Sequence, residues 1–222
     1  MGTLITFYNS SVGQKILVGL TGLFLCTFLV VHLTGNFLLF KNDGGEAFEI
    51  YSDFMSTNTG IRILEIGLAL GFLAHIILGV ITWVSNRMAR PEHYAVNRAS
   101  QNSELSSRVT FITGSTIFIF LVVHLRSFFV PTRFPGDIKP NMFELVKSAF
   151  QNPYYDGFYI IALILLGYHL RHGFQSAFQT FGLRPGYHRL IDLVAVVFWL
   201  LIPIGYATMP IYFLWAHLRG VN

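Results

Sequence analysis

Residues 16–40 read ILVGLTGLFLCTFLVVHLTGNFLLF, an apolar run that contains no Asp, Glu, Lys or Arg. It is longer than the ~20 residues needed to cross a hydrocarbon core. Three more stretches without those four residues follow: Ile66–Asn86, Val109–Leu125 and Leu193–Leu218. A further segment, Tyr154–Phe181, is read as a span carrying one intramembrane charge, Arg171. The expectation is an all-α fold, an integral membrane bundle of five transmembrane helices. It forms a single domain over residues 1–222, with spans near 12–40, 61–86, 107–130, 154–181 and 188–216. Backbone polar groups in such a core must be satisfied within the helices.

Composition agrees with this class. The chain is 53% hydrophobic and 12% charged, where soluble domains carry about 25% charged residues. Its first apolar run is too long for a signal-peptide core, and Met1-Gly2 with Thr6 is read as a chance match to a myristoylation pattern. Cys26 is the single cysteine, so this chain by itself can hold no disulfide, thiolate zinc site, iron–sulfur cluster or covalently attached haem.

Connectors are short, as expected for antiparallel neighbours. Lys41–Thr59 is polar, with a turn at Gly44-Gly45. Arg87–Arg108 contains Arg90-Pro91, Arg98 and Glu104. Phe129–Asn152 is the longest and has room for an interfacial helix near Met142–Phe150. Gly182–Arg189 reads as a tight link around Arg184-Pro185-Gly186. Pro203 and Pro210 should kink or shorten the last helix. No internal repeat is apparent on this reading. Five spans put seven Lys and Arg on each side, so the positive-inside rule leaves the orientation open.

Four spans carry one histidine each at comparable depth: His32, His75, His124 and His169. Counted from the N-terminal side, His32 and His124 lie about 24–26 Å deep, and His75 and His169 about 18–20 Å. Each pair joins two helices running in the same direction. Two imidazoles at one depth suit a six-coordinate b-type haem, with one neutral ring nitrogen from each. Gly35, Gly79 and Gly173 follow three of these histidines by three or four residues and could leave room for a porphyrin.

Intramembrane histidines that only pack, a His-based metal-ion transporter and a di-iron oxygenase are the competing readings. The transporter would call for acidic or sulfur co-ligands, and the oxygenase for denser histidine boxes. His172 lies one turn beyond His169 and is a rival ligand or a second-sphere residue. Arg171 faces largely away from His169, and could meet a haem propionate from another direction or snorkel. Arg126, His93, His188 and His217 read as interfacial.

Several motifs lie in order along the chain. They are Val31-His32-Leu33-Thr34-Gly35-Asn36, Ala74-His75-Ile76-Ile77-Leu78-Gly79, Val123-His124-Leu125 and Tyr168-His169-Leu170-Arg171-His172-Gly173-Phe174-Gln175-Ser176, with Glu46-Ala47-Phe48 in the first connector. With these the chain resembles the cytochrome b membrane anchor of succinate dehydrogenases and fumarate reductases, in its five-helix, two-haem form.

The resemblance implies two haem b groups. His75 and His169 would ligate the one nearer the cytoplasm, and His32 and His124 the distal one. It implies a cytoplasmic N-terminus in the cell (inner) membrane, and flavoprotein and iron–sulfur partner subunits. This chain would lack the dicarboxylate site and would relay electrons to membrane quinone, with menaquinone expected. Succinate oxidation of this kind belongs to the tricarboxylic acid cycle, and no nucleic-acid role is implied. Glu46, Glu49 and Tyr51 are the candidates for the quinone site. A cytochrome b anchor of formate dehydrogenase or hydrogenase is the nearest redox alternative.

Overall fold

The computed structural model describes residues 10–89, 108–137 and 139–220, and among them every regular element is helical. Helix α1 spans Ser11–Asn36 and tightens into a 3₁₀ turn at Phe37–Phe40. Then come α2 (Glu46–Thr57), α3 (Thr59–Met88), α4 (Thr110–His124), α5 (Val130–Arg133) and α6 (Met142–Ala149). The chain ends with α7 (Pro153–Thr180), α8 (Arg184–Val196) and α9 (Ile202–Leu218). Expectations placed on Met1 to Thr6, His93, Arg90-Pro91, Arg98 and Glu104 lie outside the described residues.

Helix starts follow local chemistry. The side chains of Ser10, Asn58, Asn141 and Asn152 accept hydrogen bonds from backbone N–H groups of the first turns of α1, α3, α6 and α7. These are donors that the helices cannot satisfy internally. Pro153 then stands in the first turn of α7, where its missing N–H costs nothing.

Four helical segments are long and apolar enough to cross a membrane: Ser11–Phe40, Thr59–Met88, Thr110–Arg133 and Arg184–Leu218. Their large apolar side chains point outward. On α3, Ile63, Leu64, Ile66, Leu70, Leu73 and Ile77 are all more than half exposed. A helix that is apolar on its outer face suits lipid better than water.

Helix α7 is the hub. It packs against α1, α4, α8 and α9, and it buries Tyr159, Ala162, Leu163, Gly167, Leu170, Phe174 and Ala177. Its composition is more polar than that of α1, α4 and α9, and its Asp156 and Tyr159 are buried against protein. That segment also contains Asp156, a second charge that the reading of Arg171 alone passed over.

Prolines alter the helices differently from the expectation. The last helix continues through Pro203 and Pro210 to Leu218. A widened π turn at Val197–Leu201 precedes Pro203, and another at Leu125–Phe129 precedes Pro131. Proline has no N–H to offer the carbonyl four residues back and its ring crowds that carbonyl; the wider turn gives the space. The carbonyl freed by Pro203 belongs to Trp199, and it lies against α7 where a Cβ on Gly167 would stand 2.7 Å from its oxygen. The third membrane segment likewise runs on to Arg133, beyond its expected end.

The link after α7 is shorter than expected. Gly182 turns the chain at φ +72°, and Arg184-Pro185-Gly186 already forms the first turn of α8, with Tyr187 breaking the helical angles. Pro at a first helical turn explains the difference. In the first connector, Gly44 and Gly45 do turn the chain with positive φ.

The end of the bundle away from the N-terminus, here the far side, is thickened by α2 and α6. Their Phe48, Val146 and Phe150 share one apolar cluster with Leu33, Leu39, Phe128, Tyr159 and Phe213. A second cluster, built on Cys26, Leu170, Phe174, Ile191 and Ala195, fills the opposite half between α1, α7 and α8.

Candidate functional site

The four histidines meet in two pairs inside the bundle. His32 of α1 faces His124 of α4 with ring centroids 5.8 Å apart, and the ring planes cross at 85°. His75 of α3 faces His169 of α7 at 6.3 Å and 81°. A ring nitrogen lies about 1.1 Å from the imidazole centroid and a metal–imidazole bond is about 2.0–2.1 Å. Two imidazoles sharing one ion along a common axis therefore have centroids roughly 6.3 Å apart. The His75–His169 pair, at 6.3 Å, matches that separation, and the His32–His124 rings, at 5.8 Å, stand closer.

Three of the four rings have Nδ1 held by a hydroxyl on another helix. Thr21 Oγ1 lies 3.2 Å from Nδ1 of His75, and Thr113 Oγ1 lies 3.4 Å from Nδ1 of His169. The Thr21 hydroxyl donates to the carbonyls of Leu17 and Val18 at 2.8 and 3.0 Å. The Thr113 hydroxyl donates to the carbonyl of Thr110 at 3.0 Å. With the threonine proton on a carbonyl of its own helix, the hydroxyl oxygen is placed to accept from an Nδ1–H, an arrangement that leaves Nε2 of His75 and His169 as the ligand atom. At His124, Nδ1 lies 3.0 Å from the Tyr159 hydroxyl, which continues to the Tyr155 hydroxyl at 3.0 Å.

Space beside the rings is set by glycine. A Cβ on Gly22 would stand 3.2 Å from Cε1 of His75, and one on Gly114 would stand 3.3 Å from Cε1 of His169. Gly79 and Gly173, one turn beyond their histidines, would carry a Cβ into open space. Gly35 does not leave such room, because the Tyr51 ring packs directly on it. Aromatic rings brace the other pair: Phe28 stacks on His32 at 5.3 Å and Phe120 on His124 at 5.7 Å.

These contacts contain an internal repeat that the sequence reading overlooked. Thr21-Gly22 precedes Phe28-Leu29-Val30-Val31-His32-Leu33, and Thr113-Gly114 precedes Phe120-Leu121-Val122-Val123-His124-Leu125 at the same spacing. In each copy the Thr-Gly step receives a histidine from the next long helix, the phenylalanine stacks on its own histidine, and that histidine crosses to the other copy. A self-comparison of the sequence would have found it.

The other candidates are spread around the site. The Arg171 guanidinium lies over the Trp199 ring, 5.5 Å from its centroid. His172 sits one turn along α7 from His169. Glu46 opens α2 and is exposed, whereas Glu49 is half-buried and accepts the Met142 N–H at the start of α6, 3.1 Å from its second oxygen. Glu49 therefore joins α2 to α6. Burial of the Tyr51 phenol raises its pKa, so it remains a donor at neutral pH.

The His75–His169 pair suits a bis-imidazole iron porphyrin in ring separation and in the open positions at Gly79 and Gly173, whereas at the His32–His124 pair the rings stand closer and Gly35 is covered by Tyr51. Among the described residues, no group of three or more His, Cys, Asp or Glu converges as a metal site, and two imidazoles alone fall short of the four ligands of a structural zinc site. Comparison with family models, characterised proteins and solved structures finds no match.

Proposed function

We propose that this chain is the two-haem cytochrome b anchor of a succinate:quinone oxidoreductase, passing electrons between an iron–sulfur partner subunit and membrane quinone. The observation that carries the reading is the meeting of four histidines in two pairs at 5.8 and 6.3 Å. Helix α7 serves as the fifth span, since 28 residues reach about 42 Å and its Asp156 and Tyr159 are buried against protein. The N-terminus faces the cytoplasm, and the membrane is the cell (inner) membrane.

Bis-imidazole haem supplies one-electron exchange with no open iron position when bound. The protein's part is to present and hold the ligands. His75 and His169 lie nearer the N-terminal side, where the flavoprotein and iron–sulfur partners dock. His32 and His124 lie deeper, nearer the quinone. Thr21, Thr113 and Tyr159 hold the Nδ1 atoms of His75, His169 and His124, and the apolar clusters exclude water. Arg171, held on Trp199, presents its charge toward α8–α9 rather than toward His169.

A reduced-minus-oxidised visible spectrum of the purified complex, together with the identities of the polypeptides that purify with it, tests the reading. Two overlapping bis-imidazole b-type bands and a co-purifying flavoprotein are expected. His75→Ala or His169→Ala should remove one haem and retain the other. A spectrum without haem would overturn the proposal, and a formate dehydrogenase or hydrogenase partner would reassign it.

A further inference from the structure

On the far side, the start of α7 and the end of α9 bound an apolar groove of about 590 Å³, lined by Gly157, Ile160, Ile161, Ile211, Leu214 and Trp215 among others. The carboxyl oxygens of Asp156 are buried in the protein beside it, so they bring no charge to its surface. Gly157 keeps the groove open, since a Cβ there would meet nothing within 4 Å. Three side chains mark its outer end. Tyr154 opens α7 and is exposed, and Trp215 and Arg219 stand one turn apart at the end of α9. The Arg219 guanidinium lies 4.9 Å from the Trp215 ring centroid, and among the described residues no acidic side chain pairs with it. Tyr and Trp gather at the headgroup level of a membrane, and an arginine there lays its stem on apolar surface while its charge reaches outward.

We propose that this groove holds one phospholipid, with its phosphate on Arg219 and one acyl chain lying between α7 and α9. The site is independent of haem and quinone and stands apart from the electron-relay function. Charge complementarity selects the occupant, because the planar guanidinium presents a fork of donors that matches phosphate oxygens. Its seat on Trp215 restricts the side chain beforehand, so less freedom is lost when the phosphate arrives. From Leu218 back to Ile211, and from Pro153 to Ile161, the groove walls run about 10–12 Å toward the membrane interior, in the direction an acyl chain takes from its headgroup. The outer face of α3 supplies a contrast. Ile63, Leu64, Ile66 and Leu70 are exposed there, but the cation at that end, Arg62, is already joined to Glu65 at 2.6 Å. That face meets lipid with no unpaired guanidinium to hold a headgroup.

The test uses the full chain in native membranes and a phosphatidylglycerol with a diazirine on one acyl chain, the crosslinks being mapped by mass spectrometry. Crosslinks are expected to concentrate within residues 157–161 and 211–215, several-fold above residues 63–70 of α3. A diacylglycerol with the same diazirine chain and no phosphate should label the groove about fivefold less, the scale of one arginine at a membrane surface. Arg219→Gln should bring the phospholipid down to the diacylglycerol level, and Gly157→Leu should lower labelling by both probes by filling the groove. Unchanged crosslinking on α3 in each variant shows that the fold is intact. Equal labelling of the groove and the α3 face, or equal labelling by the two probes, overturns the proposal. So does groove labelling that both substitutions leave unaltered. Displacement of the phospholipid label by added quinone would hand the groove to the quinone and overturn the proposal as well.

Discussion

The hydroxyl of Thr21 on α1 lies 3.2 Å from Nδ1 of His75 on α3 and has already given its proton to α1 carbonyls. With that proton on a carbonyl, the hydroxyl oxygen is placed to accept from the imidazole N–H. The Thr113–His169 contact has the same polarity.

Replacing Thr21 or Thr113 with Val keeps the shape and removes the acceptor. An N–H left unpaired in a buried site costs about 1–3 kcal/mol, so thermal stability should fall. The midpoint potential of the centre built on His75 and His169 should shift while the other stays. Ser at either position should restore both values. Redox titration followed by absorbance, with thermal unfolding, checks this; equal shifts at both centres would count against the pairing.

Tyr159→Phe cuts the hydroxyl chain between His124 and Tyr155. It should alter only the spectral component that His32→Ala removes. Low-temperature difference spectra of the two variants, compared band by band, test the assignment.

Gly167 touches the Trp199 carbonyl, which Pro203 leaves without a helical donor. Gly167→Ala forces a methyl against backbone that cannot swing aside, and overpacking of this kind costs about 1–3 kcal/mol. Gly173→Ala, which meets nothing in the protein chain, serves as the comparison. A detergent-stability midpoint unchanged by Gly167→Ala would mean the two helices are further apart.

Glu49→Gln weakens the join between α2 and α6, since a carboxylate accepts a backbone N–H more strongly than an amide does. Stability of the far side should drop by about 1 kcal/mol, whereas quinone turnover should persist. Loss of turnover without loss of stability would return Glu49 to the quinone site.

Much of this arrangement is legible in one dimension. Charge-free runs mark four membrane segments, and residue counting from their ends pairs His32 with His124 and His75 with His169, the partners that face each other in three dimensions. The hydroxyls of Thr21, Thr113 and Tyr159 are harder to anticipate, because each acts across a helix interface and polar threonines are common in apolar helices. Asp156 escaped notice because it sits near the end of a span, where an acid ordinarily reaches water, yet in the fold it is buried. Pro203 and Pro210 read as kinks or early ends, and the helix is not shortened because a proline's effect depends on whether the preceding turn can widen. Gly35 looked like porphyrin room until Tyr51 came from another element to fill it.

The repeated Thr-Gly and Phe-Leu-Val-Val-His-Leu steps of α1 and α4 make the first four long helices two copies of one hairpin. Exchanging the copies maps His32 onto His124 and His75 onto His169, so each pair draws one histidine from each copy. One hairpin consequently encodes half of each centre and the whole of neither. Two identical hairpins, set side by side, would together supply both histidine pairs.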